Sequence, residues 1–515
     1  MKTSISAAQV IAAALAAMLL NGCEKPSQDK GNRNEAETLR PTELQLGSVT
    51  VFPGGENACQ DSYLTLTFSS VPTLGDSGAI RILDSRGNEA DMIDMADVAA
   101  ANAAGVQMTD KTLFSTAMDA VGTAGYYRIV YYNAVTAEGN SVRIRPHTGS
   151  LEYGKEYSVV IEPDVIIADG FGGIGSGEWT FTVMPKPENK DEITVGGRDC
   201  DFMTLQGAVN YAAGRGQSAA VTITACDGIY DEPIFIRNKN NLTIKGESRG
   251  GTVVRFDNCN DRINGVGGSL QSVPQIGSPV GKTGGRSVIL VENCDMLCFE
   301  NITLENSHGH GSQAEVIYFN CDDGRLIARN CNFSSEQDTI ELKGWSFFDN
   351  CLIRGDVDFI WGYPKTALFE SCEIRSCRND NGGYLVQARC RSADKGIVFL
   401  KCRLTAESGV GTGTVYLARS GGNSSEWDNV TYLNCTMGRH IAGSGWYSEP
   451  APNPRKATAE NGWKEYRSMN ESGVVMDMSG RYSGCRILDE SEYESLYSSK
   501  EKIFAGCRHG SGWLR

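Results

Sequence analysis

Proline is scarce, with 15 in 515 residues. No apolar run beyond the N-terminal end is long enough to span a bilayer as a helix, which excludes a polytopic helical membrane protein. Basic residues are outnumbered 48 to 63, giving a formal charge of −15 and a pI near 5.0. That balance argues against nucleic acid as the main partner, although a local cluster of Arg and Lys can still serve an anionic ligand. A second Cys or His pair at zinc spacing is also missing, so 17 cysteines do not make a zinc site. Long amphipathic helices between the apolar runs are absent too, which leaves out alternating α/β architectures. What is present is glycine, 59 residues of it, together with many short β-type runs separated by polar turns.

Residues 1–22 read as an export signal, with Lys2 as the positive end and Ala7 to Leu20 as a short apolar run. Leu20-Asn-Gly-Cys23 resembles a bacterial lipoprotein signal, which implies lipidation of Cys23. The expectation is an exported chain, lipid-anchored to the outer membrane on its periplasmic or cell-surface face and otherwise soluble. Residues 23–40 are polar and aperiodic, a flexible tether. From 41 to 184 short alternating strands, such as Leu64-Thr-Leu-Thr-Phe68 and Trp179-Thr-Phe-Thr-Val183, predict a small β-sandwich. Leu151-Glu-Tyr-Gly-Lys-Glu-Tyr157, Asp169-Gly-Phe-Gly-Gly173 and the closing Trp179 to Thr182 resemble a bacterial immunoglobulin-like domain, expected to act as a spacer. Residues 185–194 are a linker, and 195–515 form the largest unit with a C-terminal tail. In that unit Thr204 caps a helix with Leu205, Ala208, Val209 and Ala212 on one apolar face, fit to close the end of a stack.

The largest unit repeats. Cys331, Cys351 and Cys372 each follow a short apolar run and lie 20 and 21 residues apart. Such a period marks a solenoid, in which each coil buries its apolar face against the next. The fold class is therefore all-β, a right-handed parallel β-helix preceded by the sandwich. The recurring cysteines read as small buried residues stacked beside an asparagine ladder at the turns. Asp338 and Asp358 are twenty residues apart, one coil. Stacked strands are about 4.8 Å apart, so the two carboxylates are expected side by side. Apolar Phe359, Ile360 and Trp361 would desolvate the pair and split their pKa values. Aspartate is equally at home in solvated turns, and spacing alone leaves both readings open.

Residues of about 195–490 resemble the pectinesterases. The resemblance rests on ordered pieces: Gly228-Ile-Tyr-Asp-Glu232, Asn301-Ile-Thr-Leu-Glu-Asn306, Gln313-Ala314, Gln337-Asp-Thr339, Gly355-Asp-Val-Asp-Phe-Ile-Trp-Gly362, Tyr416-Leu-Ala-Arg419, Gly445-Trp446 and Glu465-Tyr466. It implies hydrolysis of methyl esters on galacturonate residues of pectin, either methylated homogalacturonan or a branched pectin, by a monomer without cofactor or metal. It implies Asp358 as nucleophile, Asp338 as general acid and later base, and Gln337 and Gln313 as oxyanion-stabilising amides. Arg419 would orient Asp358 and lower its pKa. The sequence departs from the family's Gly-Arg-Pro-Trp, having Ala418-Arg-Ser-Gly421 instead. The sugar platform then falls to another aromatic, with Trp361, Trp427 and Trp446 as candidates, and Lys343, Arg354, Arg389 and Arg391 available for galacturonate carboxylates.

Three other signals compete. Gly246-Glu-Ser-Arg-Gly250 fits a serine elbow but is followed by a strand pattern rather than a helix. His308-Gly-His-Gly311 suggests a metal site or a polygalacturonase, and is read instead as a glycine-rich loop leading to Gln313. A pectate lyase would need an acidic calcium cluster, which the turns do not supply. The alternatives to the esterase are a non-catalytic pectin-binding β-helix and a chain-cleaving enzyme on the same solenoid.

Overall fold

The computed structural model describes residues 41–104, 108–113, 127–188, 190–197, 199–260, 286–448 and 455–514. The export signal, Cys23 and the tether lie outside the described residues. The chain divides into two compact units, the first reaching Tyr211 and the second built mainly from Ile229 to the C-terminal end.

In the first unit, nine strands between Thr42 and Val183 form a mainly antiparallel sheet around one core, while Thr73–Leu74 pairs with Ile166–Ile167 and Met108–Leu113 with Tyr127–Tyr132 separately. Leu64–Phe68 alternates buried Leu64, Leu66 and Phe68 with more accessible threonines, the period of two that a one-sided strand requires. Trp179 lies at the centre of this core, its indole N–H donating to the Pro53 carbonyl at 2.7 Å. The helix Leu205–Gly214 starts where Thr204 Oγ1 accepts from the Gly207 N–H. Asp61 receives the Met203 and Thr204 amides, which fixes the chain as it enters the helix.

The second unit is a parallel β-helix with three ladders. One runs through Leu242–Gly246, Leu297–Glu300, Arg325–Arg329, the distal halves of Ile340–Asp349 and Val357–Glu370, then Gly396–Leu400, Val430–Leu433 and Trp463–Tyr466. A second joins Thr252–Phe256, Thr303–Asn306, Asn332–Ser334, Leu352–Gly355, Glu373–Ser376, Arg403–Ala406 and Thr436–Met437. The third stacks Ile234–Arg237, Ile289–Glu292, Ile317–Asn320, the proximal halves of the two long strands, Gly383–Ala388 and Val415–Tyr416. All these pairings are parallel, as coils wound in one direction demand.

The asparagine column has a backbone cause. Asn301, Asn330, Asn350, Ser371, Lys401 and Asn434 all adopt positive φ between 51° and 54°, one per coil, at the turn between the first and second ladders. Asparagine tolerates this left-handed region best among residues with a side chain. Immediately after it come buried Cys331, Cys351, Cys372, Cys402 and Cys435, which fill the narrow corner as small apolar groups. Beside them Phe348, Phe369, Phe399 and Tyr432 stack face to face at 4.4, 5.1 and 4.5 Å. Helical turns at Glu490–Leu496 and Lys500–Ile503 bring Tyr497, Phe504 and Trp513 onto the outer face of the first ladder, among Trp345, Leu368 and Val398.

Candidate active site

Ile340 pairs with Ile360 across the two long strands, so Asp338 and Asp358, each two residues earlier, share a column. The amide of Asp338 donates to the Val357 carbonyl at 3.0 Å, tying the two turns together. Both aspartates have left-handed backbones, φ 64° and 47°, at the point where the chain turns into the strand. Such strain persists only when the surrounding structure holds it, and it re-aims both side chains out of the strand alternation. Gly362 makes the turn beyond possible: at φ 121° a side chain there would meet the Leu342 carbonyl oxygen at 2.4 Å. Gln313 and Gln337 form a parallel bridge one coil apart, which sets their amides on neighbouring rungs beside the carboxylates.

Both carboxylates are buried, Asp338 4% and Asp358 5% exposed. Arg419 grips Asp358, Nε lying 2.9 Å from Oδ1 and 3.0 Å from Oδ2 while Nη2 also reaches Oδ2. Gln387 Nε2 donates to Oδ2 at 2.9 Å, and Arg389 Nε holds Gln387 Oε1 at 2.9 Å. Burial nevertheless lifts the Asp358 carboxyl above its ordinary range, opposed by the hydrogen bonds and charge of Arg419 and the charge of Arg389. This corrects the expectation that Arg419 would lower it outright: desolvation at this depth outweighs one guanidinium. Asp338 is raised well above its ordinary range, by burial first and then by Glu315 and Asp358, with Arg286 and Arg419 opposing. The pair is thus split, with Asp338 the stronger holder of a proton.

Sequence reasoning missed the groups behind Asp338. Arg286 Nε contacts both oxygens of fully buried Glu315 at 2.6 and 2.7 Å, Nη1 donates to Gln313 Oε1 at 2.6 Å, and Nη2 lies 3.5 Å from Asp338 Oδ2. By occupying the Gln313 oxygen, Arg286 leaves the amide nitrogen of Gln313 to face away. Gln337's side chain has no hydrogen-bond partner among the described residues, and is partly accessible. Glu341, also buried and raised by burial, completes an acidic set. The signal was available: Glu315 and Glu341 interrupt Ala314 to Phe319 and Ile340 to Leu342, apolar runs in which an ionisable group needs a partner.

The predicted sugar contacts separate. Trp361 lies between Arg286 and Arg389, 5.6 and 5.1 Å from its ring, and is itself buried. Arg389 reaches the half-exposed Tyr363 hydroxyl at 2.9 Å, so both stay with the site. Trp446 does not. It is 1% exposed, stacked on Trp463 at 5.2 Å, with its N–H given to Glu465 at 3.0 Å. It is a core residue and corrects the expectation of a groove platform. Arg354 is taken up by Glu407 at 2.6 Å. In place of a tryptophan after Arg419, Tyr384 lies under its guanidinium at 4.7 Å, with Tyr416 stacked on Tyr384 and Tyr447 edge-on to both. Ser420 instead bonds Asp428 at 2.8 Å.

The Pectinesterase family model matches residues 192–504. Pectinesterase 31 of Arabidopsis thaliana is 33% identical over 252 residues, 48% of this chain and 74% of that protein. The Aspergillus niger protein named probable pectinesterase A is 29% identical over 295 residues, 56% of this chain and 80% of its own. Among solved structures, the pectin methylesterase of Erwinia chrysanthemi superposes with a TM-score of 0.48 at 22% identity, covering 60% of this chain and 96% of that one.

Proposed function

The chain belongs to the pectinesterase family and is a carboxylic ester hydrolase, and from that premise we propose that it demethylates galacturonate residues of pectin through an aspartyl acyl-enzyme. The observation that carries this reading is the asymmetric pair: Asp358 is held on both oxygens by Arg419, while Asp338, one coil away and as deeply buried, has its nearest guanidinium, Arg286, at 3.5 Å. An Asp358 oxygen attacks the C6 carbonyl, and the carbonyl π electrons move onto oxygen. The amide groups of Gln337 and Gln313 donate to that oxyanion, each such donor being worth roughly a hundredfold or more in rate. Collapse of the intermediate expels methoxide, which takes the Asp338 proton and leaves as methanol. Asp338, now ionised, deprotonates water, whose attack on the anhydride restores Asp358 and frees the galacturonate carboxylate. Arg389 and Tyr363 are the groups suited to meet the sugar and its charge, with buried Trp361 beneath Arg389. No step calls for a metal or cofactor.

The test is methanol release from highly methylated pectin, comparing the parent with Asp358→Asn and following polymer length in the same samples. Methanol from the parent alone at constant chain length supports the reading. Shortened chains, or equal methanol from the variant, overturn it. We also propose that the chain is exported and anchored to the outer membrane through lipidated Cys23, with an immunoglobulin-like spacer between the anchor and a monomeric catalytic unit. The lipoprotein-like Leu20 to Cys23 and the polar tether support this. A Cys23→Ser variant recovered in the membrane fraction as fully as the parent would refute the anchor.

A further inference from the structure

Outside the catalytic set, His310, Glu336 and Asp356 bring one ligand atom each to within 4.8 Å of one another. They come from three successive coils. His310 Nδ1 lies 2.8 Å from Asp356 Oδ2 and 3.6 Å from Glu336 Oε2. The Asp356 side chain is completely buried, and Asn379 Nδ2 also donates to its Oδ2 at 3.0 Å. Its other oxygen, Oδ1, is buried with no hydrogen-bond partner, and so is Glu336 Oε2. Two buried carboxylate oxygens lack hydrogen-bond donors, and the positive groups nearby are the His310 imidazole and Arg354, which is already paired with Glu407.

The spacing fits a cation. Donors at about 2.0–2.2 Å from a common centre are about 3.3 Å apart when tetrahedral and about 2.9 Å when octahedral. The distances of 2.8 and 3.6 Å bracket those edges. One imidazole with two carboxylates suits zinc and its neighbours better than calcium or magnesium, which take all-oxygen shells. His310 is half exposed between Gly309 and Gly311, the latter at φ 114°, so an ion can enter from solvent and keep water on its open side. This also gives a use to the second histidine of His308-Gly-His-Gly311. The first is engaged elsewhere, its Nδ1 being 2.9 Å from Asp257 Oδ1.

We propose that His310, Glu336 and Asp356 bind one divalent transition cation of the zinc class, as a clamp separate from the ester chemistry. Each ligand lies close in sequence to a member of the catalytic set: His310 three residues before Gln313, Glu336 next to Gln337, Asp356 two before Asp358. The ion fastens the three turns that carry them. Binding is read without substrate, so this test is independent of the esterase reading.

The experiment is calorimetric titration of the EDTA-treated, dialysed mature chain with Zn²⁺ at neutral pH, for the parent, His310→Ala, Glu336→Gln and His308→Ala. One Zn²⁺ per chain in the parent and in His308→Ala, weakened by about tenfold or more in the other two, is the expected result. No Zn²⁺ uptake by the parent overturns the proposal, as does uptake that His310→Ala leaves unchanged, which would place the ion on thiols. Equal loss in His308→Ala and His310→Ala would overturn this assignment of ligands. Because His310 is on an exposed loop, its alanine variant is expected to fold, which circular dichroism of the same sample checks.

Discussion

Replacing Arg419 with glutamine leaves the Asp358 carboxylate buried with one side-chain donor, Gln387, where it had two. Breaking a buried ion pair by removing one partner costs about 3–5 kcal/mol. The Arg419 side chain is 35% exposed, so solvent screens part of its charge and about 2–3 kcal/mol is the better figure. If that energy is lost from ionised Asp358 in the attacking step, kcat/KM falls roughly 30- to 150-fold, at about 1.4 kcal/mol per decade. The pH dependence separates this from simple misplacement. Arg419 is the strongest influence lowering the Asp358 pKa against burial. Without it the carboxyl protonates more readily, so the acidic limb of kcat/KM against pH moves to higher pH. The variant therefore recovers part of its lost activity as pH rises. Methanol release measured across the profile reads both effects. A uniform loss at every pH, with the acidic limb where the parent has it, would refute the electrostatic role given to Arg419.

Asp338→Asn should abolish methanol release yet raise the melting temperature at neutral pH. The folded-state pKa of Asp338 lies well above its unfolded value, so the parent loses stability as pH climbs from the unfolded toward the folded pKa, and asparagine does not. The melting-temperature gap should close near pH 4, and a gap independent of pH would contradict the assignment. Gln387→Leu removes a donor to Asp358, the proposed nucleophile, and releases Arg389, so kcat should drop by about one to two orders of magnitude, the worth of a hydrogen bond to a charge. A change confined to KM would place Gln387 in sugar binding instead. Phe369→Ala opens the aromatic column between Phe348 and Phe399 and should cost about 3–5 kcal/mol in urea unfolding.

Much of the solenoid could be read from the interval between Asn-Cys pairs, because the left-handed turn and the tight corner behind it impose those residue types on nearly every coil. The carboxylate column followed from the same interval. What spacing could not supply was the sign of competing effects at Asp358, since desolvation depends on depth and not on neighbours in sequence. Arg286 was also hidden, because it acts on Asp338 and Gln313 across coils at separations of 52 and 27 residues. Trp446 shows the converse error: an aromatic beside a motif reads as a binding platform, yet its N–H is committed to buried Glu465.

The parallel pairing of Ile340 with Ile360 makes the distance between the Asp338 and Asp358 carboxylates a lattice spacing of the solenoid. Lengthening a turn that projects from a coil leaves this phase intact, and such loops are free to drift in evolution. Inserting one whole coil between Asp338 and Asp358 would instead move them from one rung to two, about 4.8 to about 9.6 Å. The repeat can lengthen at its ends without harm to the chemistry, while between these two rungs the count is set.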